Sequence, residues 1–485
     1  MYAVIFSVAP SKKTVNTIWT GSDDGLVHVT RDAGKTWTNV TPKDMPDFGR
    51  VSQIDASSFS DATAYVSVRR PLLNDRAPYI WKTTDYGKTW TRIVNGIRTD
   101  AFVHSVREDP TRKGLLYAAT QHGVYLSYDD GAEWQPLMLN MPDVPVSDLV
   151  VEGNELVIAT HGRGFWVLDN IAPLRQATPA ILASDVHLFT PPAGVRSGPG
   201  LTLSWMVKTA PRSAKLDIVD STGAVLRSFE PDTSTRPDSA AGPPAGGGRR
   251  GGAGPALPKL AGLQRITWDL RAKSVASFPG MILWGAGTNG PTLPPGHYTA
   301  RLTVDAKAVT APITIVRNPR FTDVSDADLR AQYAFSRKVR DEANRANESV
   351  IAIRRVKSQL VDRQKKSDDA ALKSTGATLN KSATAVEVNV YQVQNQSGQD
   401  PLNVPIKVNN RLAPLLSMAE RGDGAPTNNL PEIFGILAVE LKGYTDQLAK
   451  VWKTDLVAVN KELARLKLPP LDPQCEKAEG CVPVP

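Results

Sequence analysis

Short stretches of alternating hydrophobic and polar residues, separated by turns, occupy about the first 170 residues of the chain. They fall into four groups, near residues 2–41, 51–94, 103–137 and 146–168. Alternation over about four to eight residues is typical of strands that bury one face. The pattern therefore predicts consecutive groups of short antiparallel strands in the first third of the protein.

One turn pattern, Ser/Thr-x-Asp-x-Gly-x-x-Trp, occurs three times among these strands. Its aspartates lie 53 and 44 residues apart, which matches the length of a four-stranded propeller blade. The three copies consist of Thr30, Asp32, Gly34 and Trp37; Thr83, Asp85, Gly87 and Trp90; and Ser127, Asp129, Gly131 and Trp134. The spacing predicts one copy in each of three successive blades.

Each residue type in the repeat has a structural role at a hairpin tip. The Asp can accept hydrogen bonds from the amides of its own turn, and the hydroxyl can tie the loop. The Gly allows a positive φ, and the Trp can fill the wedge between neighbouring sheets. We therefore predict that the twelve repeat residues stabilise the fold and do not bind ligand.

The repeat is similar to the Asp-box, or BNR repeat, and the chain resembles the C-terminal half of bacterial sortilin-like proteins, often labelled glycosyl hydrolases. The resemblance implies an incomplete propeller ring of about four blades over residues 1–171, completed by missing N-terminal blades of the same protein. It also implies a periplasmic or secreted protein, although residues 1–7 do not form a signal peptide. Because the box occurs in enzymes and non-enzymes alike, it does not define a function.

Two further domains are predicted after the propeller, so the fold class is mainly β with an α-helical C-terminus. Seven short strands over 185–318 suggest an immunoglobulin-like sandwich, similar to the hook-cap type. The Gly- and Pro-rich segment 234–258 is predicted to be a disordered loop. A helical bundle is expected over 319–470, followed by a tail over 471–485.

The helical domain is predicted from apolar positions spaced three or four residues apart. Ser325 is expected to cap the first helix, and the polar segment 367–380 is expected to be a loop. The predicted core stripe of the first helix consists of Val339, Ala343, Ala346, Val350, Ile353 and Leu360.

Composition narrows the possible functions. A net charge of +8 spread over 485 residues, without a dense Lys/Arg block, argues against nucleic-acid binding. No apolar run is long enough to span a membrane. The six histidines are scattered, so neither a metal site nor a cofactor is expected. Cys475 and Cys481 can form a small disulfide loop or remain free thiols.

Ligand sites in propellers usually lie on the face opposite the boxes, at the connections between the second and third strands. There the adjacent Asp23 and Asp24 are weak candidates for glycosidase carboxylates, and a turn role is favoured. His122, His161 and Arg163 are candidates for contacting a glycan or an anion, although a role in stabilising their turns is favoured. Among the other arginines, including Arg50, Arg69, Arg70 and Arg107, no motif marks a sialidase-like cluster.

These observations favour a recognition scaffold that binds a glycan, a peptide or a protein. The alternative is a sialidase- or xyloglucanase-like glycoside hydrolase with part of its active site in the missing blades.

Overall fold

The computed structural model describes residues 3–231 and 256–474, which belong to two units, Met1–Leu182 and Ala183–Pro485. Most of the predicted 234–258 loop lies outside these described residues, as do Cys475 and Cys481. Strands dominate the first unit and the beginning of the second, and long helices follow. The chain is therefore mainly β with C-terminal helices.

Four successive antiparallel sheets form the first unit, and each follows the order of the sequence. The first contains β1 (Ile5–Pro10), β2 (Ile18–Ser22), β3 (Val27–Thr30) and β4 (Thr38–Asn39). The second contains β5 (Arg50–Ala56), β6 (Ala64–Arg70), β7 (Asp75–Thr83) and β8 (Thr91–Arg92). The third contains β9 (Val103–Glu108), β10 (Leu116–Thr120), β11 (Gly123–Ser127) and β12 (Gln135–Pro136). The fourth contains β13 (Val146–Glu152), β14 (Glu155–Thr160) and β15 (Phe165–Leu168).

Each sheet packs its faces against the sheets before and after it. Trp19 and Val27 of the first sheet share a core with Trp81 of the second. Tyr65, on the opposite face of the second sheet, packs with Leu116 of the third, and further apolar residues join the third sheet to the fourth. Meandering sheets that stack face to face in sequence order are the arrangement of a β-propeller.

The outer face of the fourth sheet is apolar and open in the described part of the chain. Phe165 is 80% exposed, and Val167 and Val150 are 53% and 48% exposed. The third sheet buries Val124 and Leu126, on its face toward the fourth sheet, almost completely. Two short helices, α1 (Ala172–Gln176) and α2 (Pro179–Ala183), follow the fourth sheet.

The second unit begins with two sheets around one hydrophobic core that includes Trp205, Trp268 and Leu302. The strands are β16 (Val186–Leu188), β17 (Gly194–Val195), β18 (Leu201–Val207), β19 (Ala214–Val219), β20 (Val225–Phe229), β21 (Gly262–Trp268), β22 (Gly296–Val304) and β23 (Lys307–Val316). The sheet orders are β16-β18-β21 and β17-β23-β22-β19-β20. The two-residue β17, which pairs in parallel with β23, was not predicted because it is too short to show a period.

The helices share a second core. They are α3 (Asp326–Lys365), α4 (Ala370–Val390), α5 (Val408–Ala419), α6 (Asn429–Val451) and α7 (Val457–Arg465). Ser325 caps α3 by accepting from the backbone N of Asp328 at 3.1 Å. All six residues of the predicted α3 stripe are buried.

The prediction of a loop over 367–380 was wrong, because α4 begins at Ala370. The carboxylate of Asp369 caps this helix by accepting from the backbone N of Leu372 at 3.0 Å. Leu372, Gly376 and Leu379 are buried at helical spacing. Two apolar side chains and one glycine are enough to define the buried face, although the segment is polar on average.

Candidate functional site

Two sets of connections lie at opposite ends of the strands in the first unit. In an antiparallel meander, the connection between strands two and three lies at one end, and the connection between strands three and four at the other. The three boxes occupy connections of the second kind, β3–β4, β7–β8 and β11–β12. The residues predicted to bind ligand occupy the first kind: Asp23, Asp24, His122, His161 and Arg163.

Within the boxes, the carboxylate binds groups of its own turn. Asp32 accepts from Thr30 Oγ1 at 2.8 Å, from the backbone N of Thr36 at 2.9 Å and from Thr36 Oγ1 at 2.7 Å. Asp85 makes the three equivalent bonds in the second box. The hydrogen bonds from Thr36 are the main cause that lowers the pKa of Asp32 to about 2. These bonds stabilise the ionised carboxylate and hold the turn together.

Two of the three box tryptophans reach the preceding sheet. Trp90 Nε1 donates to the carbonyl of Val40 at 2.6 Å, and Trp134 Nε1 donates at 3.0 Å to a carbonyl just after β8. Gly87 has a φ of +81°, and a Cβ there would lie 2.6 Å from Cβ of Val40. Trp37 lies just before β4 of the first sheet, which has no preceding sheet among the described residues, and it is 43% exposed.

Asp23 and Asp24 bind different partners. Asp23 Oδ1 accepts from the backbone N of Val4 at 2.9 Å, and its own backbone N donates to the carbonyl of Val4 at 3.0 Å. Asp24 accepts from the hydroxyl of Ser22. The Asp23 carboxylate thus ties the turn to the segment just before β1, and the Asp24 carboxylate bonds to the end of β2. The two carboxylates share no hydrogen-bond partner among the described residues.

His122 lies in an acidic setting, whereas His161 and Arg163 lie on an exposed turn. Nδ1 of His122 is 3.0 Å from Asp143 Oδ1, and its Nε2 is 3.8 Å from Asp100 Oδ2. His161 and Arg163 are both exposed. None of these three residues lines the cavity described next, and their role in ligand binding stays a prediction.

A cavity of about 470 Å³ lies at the same end of the strands. This volume is within the range of small-ligand sites. Asp23 is the only one of the predicted site residues that lines it. The described lining is Asp23, Phe48, Arg50, Arg69, Pro71, Leu72 and Leu73. The cavity therefore combines two guanidinium groups, one carboxylate and four apolar side chains.

The two arginines face each other across neighbouring strands. Arg50 at the start of β5 is the direct cross-strand partner of Arg69 near the end of β6. Like charges at directly opposite positions destabilise a sheet. Burial and then the charge of Arg50 lower the pKa of Arg69. Within residues 3–231 and 256–474, neither guanidinium forms an ion pair with a carboxylate, so their charges are not neutralised there.

His104 and Phe6 hold the two guanidinium groups in place. Nη1 of Arg69 lies 2.9 Å from Nδ1 of His104. Burial, and then the charge of Arg69, lower the pKa of His104 to about 4, and His161 adds to the effect. Above that pH the imidazole is neutral, so Nδ1 can accept from Arg69. The guanidinium carbon of Arg50 lies 4.9 Å from the centre of the Phe6 ring, a cation–π distance.

Exposed apolar side chains form the rim of the cavity. Leu72 is 84% exposed, Phe48 58% and Leu73 51%. The leucines belong to a short 3-10 helix, Pro71–Leu73, which ends at Asn74 with a φ of +57°. Phe48 itself has a φ of +56°, a conformation that costs about 1–2 kcal/mol in a residue other than glycine. Exposed apolar groups beside half-buried charged groups are typical of a ligand site.

Sequence reasoning did not single out Arg50 and Arg69, because neither belongs to a motif. The available signal was their position at the ends of two consecutive strands that lie away from the connection between them, residues 57–63. A register for β5 and β6 would have paired them, but a bulge between Val51 and Gln53 shifts the pairing and hides it.

Glu108, whose carboxyl group has a raised pKa, lies between the second and third sheets. It accepts from Tyr65 Oη at 3.2 Å and from the backbone N of Gly114 at 3.2 Å. Burial raises the pKa of this carboxyl group, and the residue is only 3% exposed. Glu108 therefore joins neighbouring sheets and is not accessible to a polysaccharide.

Among the residues that the structure describes, no group of three or more His, Cys, Asp and Glu side chains could hold a metal ion. No helix in the described ranges is long and apolar enough to cross a membrane.

No protein-family model matches the sequence, and no curated protein matches it. Among solved structures, YCF48 bound to D1 peptide is 16% identical, with 44% of this chain and 64% of that chain covered and a TM-score of 0.28. An ancestral GH74 enzyme is 17% identical, with 47% and 32% covered and a TM-score of 0.29. The GH74 xyloglucanase from Xanthomonas campestris is 18% identical, with 61% and 53% covered and a TM-score of 0.26. The chain thus spans less than two thirds of each of these structures.

At TM-scores below 0.5, these likenesses carry neither a function nor a fold assignment for this chain. The propeller arrangement rests on the strand order and the face-to-face packing of the first unit.

Proposed function

We propose that the protein is an extracytoplasmic recognition scaffold whose propeller binds a peptide or glycan at the cavity between Asp23, Arg50 and Arg69. The observation that supports this most strongly is the pair of opposed guanidinium groups beside an exposed apolar rim. Two like charges at directly opposite positions of a sheet do not stabilise the fold, whereas a bound ligand can neutralise them.

Binding is favoured over hydrolysis because only one acidic residue is among the described residues that line the cavity. Glycosidases need two carboxyl groups on either side of the bond that is broken. Asp23 is the only acid among the described lining residues, and its Oδ1 accepts from the backbone of Val4. The box aspartates remain structural in this proposal, since they bind their own turns at the other end of the strands.

A glycan and peptide array, combined with a reducing-sugar assay on the same sample, tests this proposal. We expect binding without release of sugar, and we expect Asp23→Asn to retain binding. Sugar released by the parent but not by Asp23→Asn or Asp24→Asn would contradict the proposal and establish the hydrolase. Binding that depends on His122 or Arg163 and not on the arginine pair would place recognition on the neighbouring turns.

The expected additional blades also remain a proposal. Phe165, Val167 and Val150 form an open apolar face on the fourth sheet, of the kind that further propeller sheets cover. If this face packs against another protein surface, Phe165→Ser should reduce the self-association of the chain that sedimentation velocity measures. An unchanged distribution of species would count against a packing role for this face.

A further inference from the structure

We propose that the helical domain binds an amphipathic helix of another protein in a groove between α5 and α6, with a basic side chain of that helix directed to Asp423. The groove lies in the second unit, so this inference is independent of the propeller cavity and goes beyond the function proposed for it.

An apolar cavity of about 500 Å³ forms the main part of the groove. Met418 of α5 and Ile433 and Ile436 of α6 line it, and these side chains are 48%, 40% and 62% exposed. Leu415 and Leu437 also line the cavity and are buried. Clustered apolar side chains that stay exposed on a folded domain mark an interaction surface.

Trp284 lies at the end of the groove where α5 begins. Its backbone N donates to Asn410 Oδ1 at 2.7 Å, and its carbonyl accepts from Asn410 Nδ2 at 2.9 Å. Arg411, at the same end, donates twice to Glu440, at 3.1 and 2.8 Å. Because this ion pair has no net charge, the end at Trp284 offers mainly apolar contact to a ligand.

A second cavity, of about 400 Å³, lies where α5 ends. Met418 lines both cavities, so the two adjoin. Asp423 lines the second cavity, and its side chain is only 5% exposed. Its Oδ1 accepts from Arg196 and, at 2.8 Å, from Ser197 Oγ. Its Oδ2 is buried and has no hydrogen-bond partner among the described residues.

The unpartnered oxygen of Asp423 determines which ligand group fits the second cavity. A buried acceptor without a donor costs free energy, so a donor supplied by a ligand would stabilise the complex. A lysine or arginine carries its donors at the end of a long apolar stem. The stem can pack on Met418 while the charged group bonds to Asp423, and such charge-assisted bonds are stronger than neutral ones.

The two helices that border the groove favour a helix as the ligand. Each presents side chains three or four residues apart, at Pro414 and Met418 on α5 and at Ile433 and Ile436 on α6. A third helix packs its own apolar stripe between such rows. From Arg411 to Met418 the groove follows about 10 Å of helix. Two turns of a partner helix therefore cover the apolar cavity, and its basic residue belongs to the next turn.

A display library of helical peptides of about 16 residues tests the inference on the full chain. We expect the enriched peptides to carry apolar residues at helical spacing, with a basic residue about one turn beyond them. Glutamine in place of that basic residue should weaken binding about tenfold. The inference is wrong if no peptide is enriched, or if the enriched peptides need no basic residue.

Variants connect the binding of an enriched peptide to the groove. Asp423→Asn and Ile436→Ser should each weaken binding by about tenfold in fluorescence anisotropy. The matched control for Asp423 is Glu420→Gln, since Glu420 pairs with Arg271 at 2.6 Å from the same connection and lines neither cavity. The matched control for Ile436 is Val439→Ser, because Val439 is 74% exposed on α6 and lines neither cavity. Both controls should bind as the parent does.

Melting temperatures separate a direct contact from a loosened connection. Asparagine at position 423 still offers Oδ1 to Arg196, so Asp423→Asn should remain folded. Equal loss of binding in Asp423→Asn and Glu420→Gln would contradict a direct contact with Asp423, as would full binding by Asp423→Asn. Arg421 also lines the second cavity and is exposed, so Arg421→Gln should bind at least as tightly as the parent.

Two other occupants of the groove are distinguished in the same experiments. Cosedimentation with phosphatidylcholine vesicles that depends on Ile436, without enrichment of any peptide, would assign the groove to a membrane surface. Self-association that Ile436→Ser abolishes in sedimentation velocity would assign it to a second copy of the chain. Either result would overturn the inference and leave the proposed function of the propeller cavity untouched.

Discussion

The two ends of the propeller strands use charged residues in opposite ways. At the box end, Asp32 and Asp85 each accept three hydrogen bonds from their own turn. At the cavity end, Arg50 and Arg69 face each other without a carboxylate partner in the described ranges. The difference indicates that the repeated residues stabilise the sheets, whereas the residues that are not repeated line the cavity at which we propose that a ligand binds.

The largest expected effect comes from substituting the glycine of a box. Gly87→Ala places a Cβ at 2.6 Å from Cβ of Val40 and at a φ of +81°. We expect a loss of about 3 kcal/mol in the free energy of unfolding, from the left-handed backbone and the overpacked contact together. Chemical denaturation measures this loss.

The matched control is Gly162→Ala at the other end of the strands. Gly162 has a φ of +93°, but a Cβ there would meet no atom within 4 Å. Only the backbone cost of about 1 kcal/mol should remain. Equal losses for the two variants would show that contact with the preceding sheet does not distinguish the box glycines.

A second effect should appear as the pH is lowered. The pKa of His104 is lowered from 6.5 to about 4, first by burial and then by Arg69. The unfolded chain therefore binds this proton more readily, so stability falls as the pH drops from 6.5 toward 4 and then levels off. The contribution is at most about 3 kcal/mol for a shift of this size.

His104→Gln isolates this effect because glutamine can still accept from Arg69 and does not titrate. As the pH is lowered from 6.5 to 4, the free energy of unfolding should fall less for the variant than for the parent. A constant difference across that range would contradict a neutral, buried His104 beside Arg69.

A smaller effect is expected for the box carboxylate itself. Asp85→Ala removes the acceptor of the Thr89 backbone N at 2.9 Å and of two hydroxyls. Because the turn is close to water, solvent replaces part of these bonds, and we expect a loss of about 1 kcal/mol. Melting temperatures that are equal for variant and parent would contradict a structural role for the box.

The sequence predicted the elements well where a period or a repeat was strong. Three boxes at blade spacing located the sheets of the first unit, and the stripe from Val339 to Leu360 located α3. It failed at α4, where the buried positions include Gly376 and the intervening residues are polar. It also missed the two-residue β17.

The candidate site could be predicted only in part. The connections between strands two and three were the expected ligand surface, and the cavity includes Asp23. The pairing of Arg50 with Arg69 depends on the register of β5 and β6, and the proximity of Arg69 to His104 depends on how the second and third sheets pack. Neither contact can be read from the spacing of residues along the sequence, because each joins two different strands.

The most direct test of the account measures stability and the binding of a ligand found on the glycan and peptide array for the same two variants, Asp85→Ala and Arg69→Gln. We predict that Asp85→Ala melts lower than the parent and binds this ligand as the parent does. We predict that Arg69→Gln melts close to the parent, because relief of the like-charge contact with Arg50 offsets the lost bond to His104. We also predict that it binds at least about tenfold more weakly. A box variant that loses binding while still folded, or an arginine variant that loses stability and keeps binding, would contradict the division between the two ends.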